Sequence, residues 1–459
     1  MTHQSSPLFD RRELLRLAGI GSGLAALSPL DELIAAGRRR KSKELRVKRV
    51  KVTPIALPDP PLLAAGGCHG PYFLRTIVEL ETEEGIIGIG ETYGNRDTIQ
   101  MLDSFYPHIL GRSVLAYRNF GHGEFGLPSR AYTAIEVACL DAIGRATGRR
   151  VCELLGGPVR EEVEFAAYLF FRYAADHSTI LDDRRIVDDR GSGDQSLDDW
   201  GEVRTPESMA EMAMKFHQKW GFRVQKLKAG VFEPEIELEA LRLINQQFKS
   251  RSPLRIDPNG RWTMQTALRI GEQLKQLPLD YYEDPVAGQA AMGQVRAQTG
   301  LRTSTNSCVT SFSDIPGAVT TKPVDVVLCD HHFWGGITAC QALGRIADVM
   351  GWELSQHSNN HAGISMAAMI HTAAVTPQLT SASDTHYPWL IEGADIIEGP
   401  NLAIREGKMQ IPDQPGLGVD IDQDKLARGY ETYLKSGMLD RDDSATMRRL
   451  VPGWKRTLF

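Results

Sequence analysis

The sequence has no surplus of basic residues, no C-x-x-C pair and no long apolar run. Its 52 Lys and Arg are outnumbered by 58 Asp and Glu, for a formal net charge of −6. A protein that neutralises nucleic-acid phosphates needs the opposite balance, so nucleic acid is excluded as the main partner. The six cysteines, Cys68, Cys139, Cys152, Cys308, Cys329 and Cys340, are scattered, which excludes a zinc ribbon and a thioredoxin-type redox motif. They read as small apolar packing residues, with pairing left open by the export reading below. Nothing approaches the ~18 consecutive apolar residues of a membrane span. What is present is a chain of 459 residues, 42% hydrophobic and 24% charged, the composition of a globular enzyme with room for two or more domains.

Residues 10 to 30, DRRELLRLAGIGSGLAALSPL, place Arg11 and Arg12 ahead of a modestly apolar, glycine-containing stretch. This resembles a twin-arginine export signal, which is read by a translocase that moves folded proteins. Asp10 stands where such signals usually carry serine or threonine. The expected location is periplasmic if the signal functions and cytoplasmic if it does not. A signal is assigned to residues 1–36 and a basic linker, containing RRRKSK, to residues 37–45.

From about residue 46 the pattern turns to strands, VKRVKVTPIAL and RTIVELETEEGIIGIGE, the latter folding back at Glu-Glu-Gly. Residues 96 to 156 read as helical, notably AYTAIEVACLDAIGRATG, with Ile135, Cys139 and Ile143 at four-residue steps and a glycine stop. These define an α+β domain over 46–165. The acidic stretch 182–202 reads as a surface loop.

After residue 220 a repeat emerges. Strand-like segments end in Lys228, Asp257, Glu283, Asn306, Asp330, His357 and Asp384, at successive spacings of 29, 26, 23, 24, 27 and 27 residues. Helical patterns lie between most of them, such as PEIELEALRLINQQF with Leu238, Leu241, Ile244 and Phe248 in phase. That spacing is one βα unit. Repeated this often without a Gly-x-Gly-x-x-Gly loop, it predicts a parallel barrel over 166–415, with the polar strand ends gathered on one catalytic rim.

Asp257, Glu283 and Asn306 close three successive strands and offer hard oxygen donors, which suit magnesium rather than zinc or copper. Asp284 is expected to face away. Lys226 and Lys228 lie two apart on one strand and share a face. Repulsion between them, with a nearby cation, is expected to lower the pKa of Lys228 and make it a base, while Lys226 stays charged and clamps a carboxylate. His357, oriented by Asp330, supplies a second acid/base arm. A lysine and a histidine on opposite faces of a substrate carry out α-proton abstraction next to a carboxylate, followed by racemisation or loss of water.

With GCHGPYFLRT, YLFF, KLKAG, DPNGRW, YYEDP, STN, DHHFW, HSNNH, SDTH and LVPGW in this order, the chain is similar to the glucarate dehydratase family, in the mandelate-racemase-like branch of the enolase superfamily. The resemblance implies an N-terminal α+β capping domain on a modified (β/α)7β barrel, with residues 416–459 returning to the cap. It implies magnesium at Asp257, Glu283 and Asn306, and acid/base roles for Lys228 and His357–Asp330. Substrate contacts would come from His69, Tyr168, Lys226, Asn259, Asn359, His386 and Arg441. The implied reaction is dehydration of D-glucarate or L-idarate to 5-dehydro-4-deoxy-D-glucarate by a homo-oligomer acting on a small-molecule acid sugar. The segment 121–136 is shorter than its family counterpart, and Gln289 stands where relatives can carry an acid. The alternatives are a dehydratase or epimerase of another acid sugar, or a non-catalytic sugar-acid binding relative.

Overall fold

Alternating apolar residues build a three-stranded antiparallel sheet from β1 (Val47–Pro58), β2 (Tyr72–Thr82) and β3 (Ile87–Tyr93), in the order β1-β2-β3. The computed structural model describes residues 45–121, 128–174, 198–391 and 393–459. The expected signal, most of the acidic loop and part of the shortened segment 121–136 lie outside the described residues. After β3 come α1 (Arg96–Phe105) and α2 (Ser129–Thr147), the helix expected from the four-residue steps. The IGIG run of β3 lets α2 settle directly on the sheet. A Cβ at Gly88 would stand 2.0 Å from the Ala138 carbonyl oxygen, and one at Gly90 2.0 Å from that of Ala134. Any side chain there would lift the helix off the sheet.

The second layer is a ring of eight parallel strands. These are β4 (Glu162–Leu169), β5 (Val224–Lys228), β6 (Leu254–Asp257), β7 (Leu279–Glu283), β8 (Thr303–Thr305), β9 (Val326–Leu328), β10 (Glu353–Ser355) and β11 (Ser383–Asp384). Neighbours pair in sequence order, and β11 returns to β4 through Ser383 opposite Phe165. A Leu354–Leu379 bridge and the Asp384 N–H to Gln356 carbonyl bond of 2.9 Å close the ring between β10 and β11. Among the described residues each connection carries a helix: α3 (Pro206–Trp220), α4 (Pro234–Gln247), α5 (Met264–Leu274), α6 (Gln289–Thr299), α7 (Ile315–Thr321), α8 (Ile337–Met350), which a short helix at His331–Trp334 precedes, and α9 (Gly363–Val375). This is the parallel barrel that the spacing predicts, in the (β/α)7β form that the resemblance implies. Its first strand starts at Glu162, so the boundary expected at 165/166 falls inside a strand that pairs with β5. The cause is ordinary: β4 ends in a uniformly apolar run that carries no marker of where the barrel begins.

Two C-terminal helices, α10 (Gln423–Ser436) and α11 (Asp443–Leu450), return to the cap. Gly429 of α10 lies against Ile55 of β1. Ser444 and Thr446 of α11 donate to the carbonyls of Gly66 (2.9 Å) and Gly70 (2.8 Å). All six cysteines are free thiols, and all but Cys308 are buried.

Glu136 ties cap to barrel. It projects from α2 and accepts from the backbone N–H of Ile337 (2.5 Å) and the hydroxyl of Thr338, two donors at the start of α8. Burial pushes its carboxyl up to about 7, against the pull of those bonds. Unfolded glutamate ionises near 4.5, so as pH rises the unfolded chain loses its proton first. The stabilising contribution of this group is therefore complete below about pH 4.5 and is lost as pH climbs through about 7. Glu136→Gln keeps an acceptor for Ile337 and an amide for Thr338. It is expected to remove on the order of 3 kcal/mol from the fall in stability between those limits, measured by urea unfolding at each end. Identical pH slopes in the two proteins would contradict this.

Candidate active site

The C-terminal ends of β5, β6, β7 and β11 bring two ammonium groups against three carboxylates. Lys228 and Asp257 are register partners, and Lys228 Nζ lies 2.6 Å from Asp257 Oδ2 and 3.0 Å from the Tyr168 hydroxyl. Lys226 Nζ, fully buried, lies 2.6 Å from Glu283 Oε2, 2.5 Å from Asp384 Oδ2 and 3.8 Å from Asp257 Oδ2. Both ammonium groups stand over the Tyr168 ring, at 4.8 and 5.4 Å from its centre. The two lysines do share a face, as the strand period requires. The lowered Lys228 pKa is expected beside a cation. In the chain alone, burial and the Lys226 charge pull it down, but Asp257 and Tyr168 outweigh them and hold it above the ordinary lysine range. A cation drawing on Asp257 would weaken that hold.

The oxygen donors fit a magnesium ion. Asp257 and Glu283 offer carboxylate oxygens within 4.8 Å of each other. Glu283 Oε1 and Asn306 Oδ1 are buried and accept no hydrogen bond in the chain, a costly state unless another electropositive partner uses them. Burial, followed by the charge of Asp257, pushes the Glu283 carboxyl well above its usual range. Such a hard-oxygen set suits a small divalent cation. Asp284 does not face away as expected. At φ +35 it turns an oxygen towards the same cluster, while its carboxylate accepts from Thr305 Oγ1 (2.5 Å) and the Asn306 N–H (2.9 Å), fixing the loop that presents Asn306. Simple alternation fails at a strand end because the chain leaves the pleat there. Asn259, at φ +50, donates its backbone N–H to Asp257 Oδ1 (2.9 Å) and places its amide beside Oδ2. Gln289 donates to the carbonyls of Cys308 and Asp314, each at 2.9 Å, a clamp that a carboxylate could not make.

Asp330 and His357 meet as expected, with Asp330 Oδ2 2.8 Å from His357 Nδ1. Phe333 stacks on the His357 ring at 5.2 Å and 19°. Despite complete burial, the Asp330 carboxylate is held well below its usual range by its histidine partners.

A third group lies where the cap meets the rim. His69 and His386 stack at 5.5 Å and 11°, and the Tyr168 ring meets His386 edge-on. His69 Nδ1 lies 3.6 Å from Asp59, and Arg441 reaches Asp443 (2.5 Å), Asn360 (2.6 Å) and Asp59 (3.8 Å). Burial and the neighbouring His69 hold His386 neutral, and its Nε2 has no protein partner. Asn359 borders a cavity of about 540 Å³ also lined by Arg75, Tyr93, Arg130, Asn360 and Arg441. The structure thus places the lysines with Asp257 and Glu283, pairs His357 with Asp330, and gathers His69 and His386 beside Tyr168, with Asn359 and Arg441 on the cavity wall. The sequence reading gave no role to Asp384, Asp59, Asp443 or His332. For Asp384 a signal existed, since it was counted among the polar strand ends.

Comparison with known proteins agrees with this geometry. Residues 49–156 match the mandelate racemase / muconate lactonizing enzyme N-terminal domain family, and residues 208–425 match the enolase C-terminal domain-like family. A probable glucarate dehydratase of Streptomyces coelicolor is 39% identical, across 90% of this chain and 98% of its own. An arabinonate dehydratase of Saccharolobus solfataricus is 23% identical, across 75% of this chain and 87% of its own. An enolase from Pseudomonas fluorescens, solved with magnesium, potassium and tartrate, superposes with a TM-score of 0.82 at 37% identity, covering 91% of this chain and 99% of that one.

The donor set carries its own test. Calorimetric titration with magnesium is expected to show one site, weakened at least ~100-fold by Glu283→Gln or Asn306→Leu. Unchanged affinity in both variants would place the ion elsewhere.

Proposed function

The chain belongs to the glucarate dehydratase family of the enolase superfamily, and from that premise we propose that it is a magnesium-dependent dehydratase of six-carbon aldarates, converting D-glucarate or its C5 epimer L-idarate to 5-dehydro-4-deoxy-D-glucarate. That it is a lyase follows from its family, and the precise acid sugar is the proposal. The observation that carries it is the pairing of two acid/base arms, Lys228 and His357–Asp330, with an oxygen donor set on one barrel rim. The cavity bordered by Asn359, Arg130 and Arg441 supports recognition of a second carboxylate at the far end of the substrate.

Asp257, Glu283 and Asn306 would hold magnesium. When bound, it supplies divalent charge that stabilises the carboxylate as negative charge develops there. Lys226, kept charged by Asp384 and Glu283, is placed to add a hydrogen-bonded positive charge to that carboxylate. Lys228 acts in its neutral form, which a cation on Asp257 would favour by drawing off the counter-charge that holds its proton. It removes the C5 proton of one epimer while His357 starts as imidazolium. For the other epimer neutral His357 removes the proton and becomes that imidazolium. The electron pair left at C5 expels the C4 hydroxyl, which leaves as water with a proton from the His357 imidazolium. The resulting enol tautomerises to the keto acid. Asp330 orients the ring and offsets its charge throughout.

One observation favours a second reading. The cap segment 121–136, which the sequence suggests is shorter than its family counterpart, contains Arg130, and Arg130 lines the cavity. A dehydratase or epimerase of another acid sugar would differ there. Purified protein with magnesium, assayed against aldarates and aldonates, separates the two. Turnover of glucarate and idarate is expected, and their inertness beside conversion of another acid would reject the first reading. Lys228→Met is expected to lower kcat roughly 10³-fold or more on the epimer whose proton it removes and to spare the other. His357→Asn is expected to lower dehydration of both, because His357 also protonates the leaving hydroxyl, yet to leave deuterium exchange at C5 intact on the Lys228 epimer. Equal losses on both epimers in both variants would argue against two separate arms. Export through the twin-arginine route completes the proposal, supported by Arg11 and Arg12. The mass of protein recovered from a periplasmic fraction tests it. No helix among the described residues is long and apolar enough to cross a membrane.

A further inference from the structure

Asp330 has a second imidazole. His332, in the short helix His331–Trp334, donates its backbone N–H to Asp330 Oδ1 at 2.8 Å and sets its ring Nδ1 3.0 Å from the same oxygen. On the other side of that ring, Nε2 lies 3.1 Å from Arg75 Nη2 and 3.1 Å from Ser365 Oγ. A guanidinium only donates, so Nε2 must accept, and the ring proton is forced onto Nδ1, aimed at Asp330. Asp330 therefore divides its carboxylate between His357 on Oδ2 and His332 on Oδ1.

The groups around His332 hold this arrangement from every side. From the cap come Arg75 of β2, and Glu91 and Tyr93 of β3. Arg75 Nε pairs with Glu91 Oε1 at 2.5 Å, and Tyr93 meets the His332 ring edge-on at 5.2 Å. From the barrel come Asp330, His331, His361 and Ser365, with the His331 and His361 rings 4.0 and 4.9 Å from that of His332. Glu91 also accepts from the N–H groups of Ala362 (3.0 Å) and Ser365 (2.7 Å), so the cap holds the start of α9. Asp330, His332 and His361 are close enough to ligate a metal, but the Arg75 guanidinium already occupies the His332 lone pair and opposes a cation there. Burial keeps all three imidazoles of this cluster neutral.

We infer that His332 is a positioning residue for the acid/base arm: locked by Arg75 of the cap as a donor to Asp330, it competes with His357 for the carboxylate and sets how strongly Asp330 holds the His357 proton. The inference rests on the reading of His357 as that arm, but its test needs no turnover. Two variants divide the ring. In His332→Asn the side-chain amide can stand where Nδ1 stood, keeping the donor to Asp330. In His332→Gln the amide reaches the Nε2 position and the donor to Asp330 is lost.

The experiment is a titration of the full chain with isotope-labelled histidine rings, followed by NMR, with the His357 signal assigned by its loss in His357→Asn. In His332→Gln the His357 midpoint is expected to rise by about half a unit or more, because Asp330 then serves one imidazole. In His332→Asn it should stay within about 0.2 unit of the unaltered protein. An unmoved midpoint in His332→Gln, or equal shifts in both variants, overturns the inference. If neither variant folds, the unaltered protein decides. Its His332 ring must be the neutral Nδ1–H tautomer at neutral pH and above, and the other tautomer or a charged ring there overturns the inference. Should no acid sugar be turned over, the proposed activity fails while this titration still stands or falls by itself.

Discussion

Two buried ammonium groups and their carboxylate partners set the terms for this molecule. Removing a charge from water costs several kcal/mol even after relaxation, and the cost is met only where opposite charge and hydrogen bonds are held in place. Lys226 and Lys228 meet this condition because β5, β6, β7 and β11 end at one level, so that Asp257, Glu283 and Asp384 converge on them. The closed ring is thus more than a scaffold. Without the return of β11 to β4 beside β5, Asp384 would not reach Lys226, and that fully buried ammonium would lose its shortest partner.

The cap is joined to this rim by polar contacts as much as by packing. Glu136 holds the start of α8, Glu91 the start of α9, and Arg75 the ring of His332. Glu136 and Glu91 each meet N–H groups at a barrel helix start, which would otherwise be left without acceptors. The glycines Gly88 and Gly90 allow the close approach of α2 that aims Glu136. A cap attached this way is registered to the catalytic strands, and side chains from both domains, His69 and Arg441 with Tyr168 and His386, can share one cluster.

Much of the barrel was legible because a βα unit has a characteristic length and its strand ends repeat at that length. The capping helix was legible through its four-residue steps, and the donor triplet Asp257, Glu283 and Asn306 through its place in successive units. Asp284 was misplaced because alternation does not survive a left-handed strand end. The counter-charge that Asp257 gives Lys228 was not legible, because proximity in sequence shows the like charge of Lys226 while Asp257 lies one strand away. Asp330 was given one histidine when it has two. Adjacent residues in DHHFW look redundant until the short helix turns one ring back onto the carboxylate.

By itself, then, the sequence determined the periodic elements, their order and the types of chemical group at each strand end, since these depend on local spacing and on side-chain chemistry. Only the tertiary structure decided which charges neutralise one another, which histidine ring nitrogen carries its proton and where the cap grips the barrel. Those properties arise from contacts between residues far apart along the chain, within a few ångströms and out of reach of water, and no local pattern encodes them.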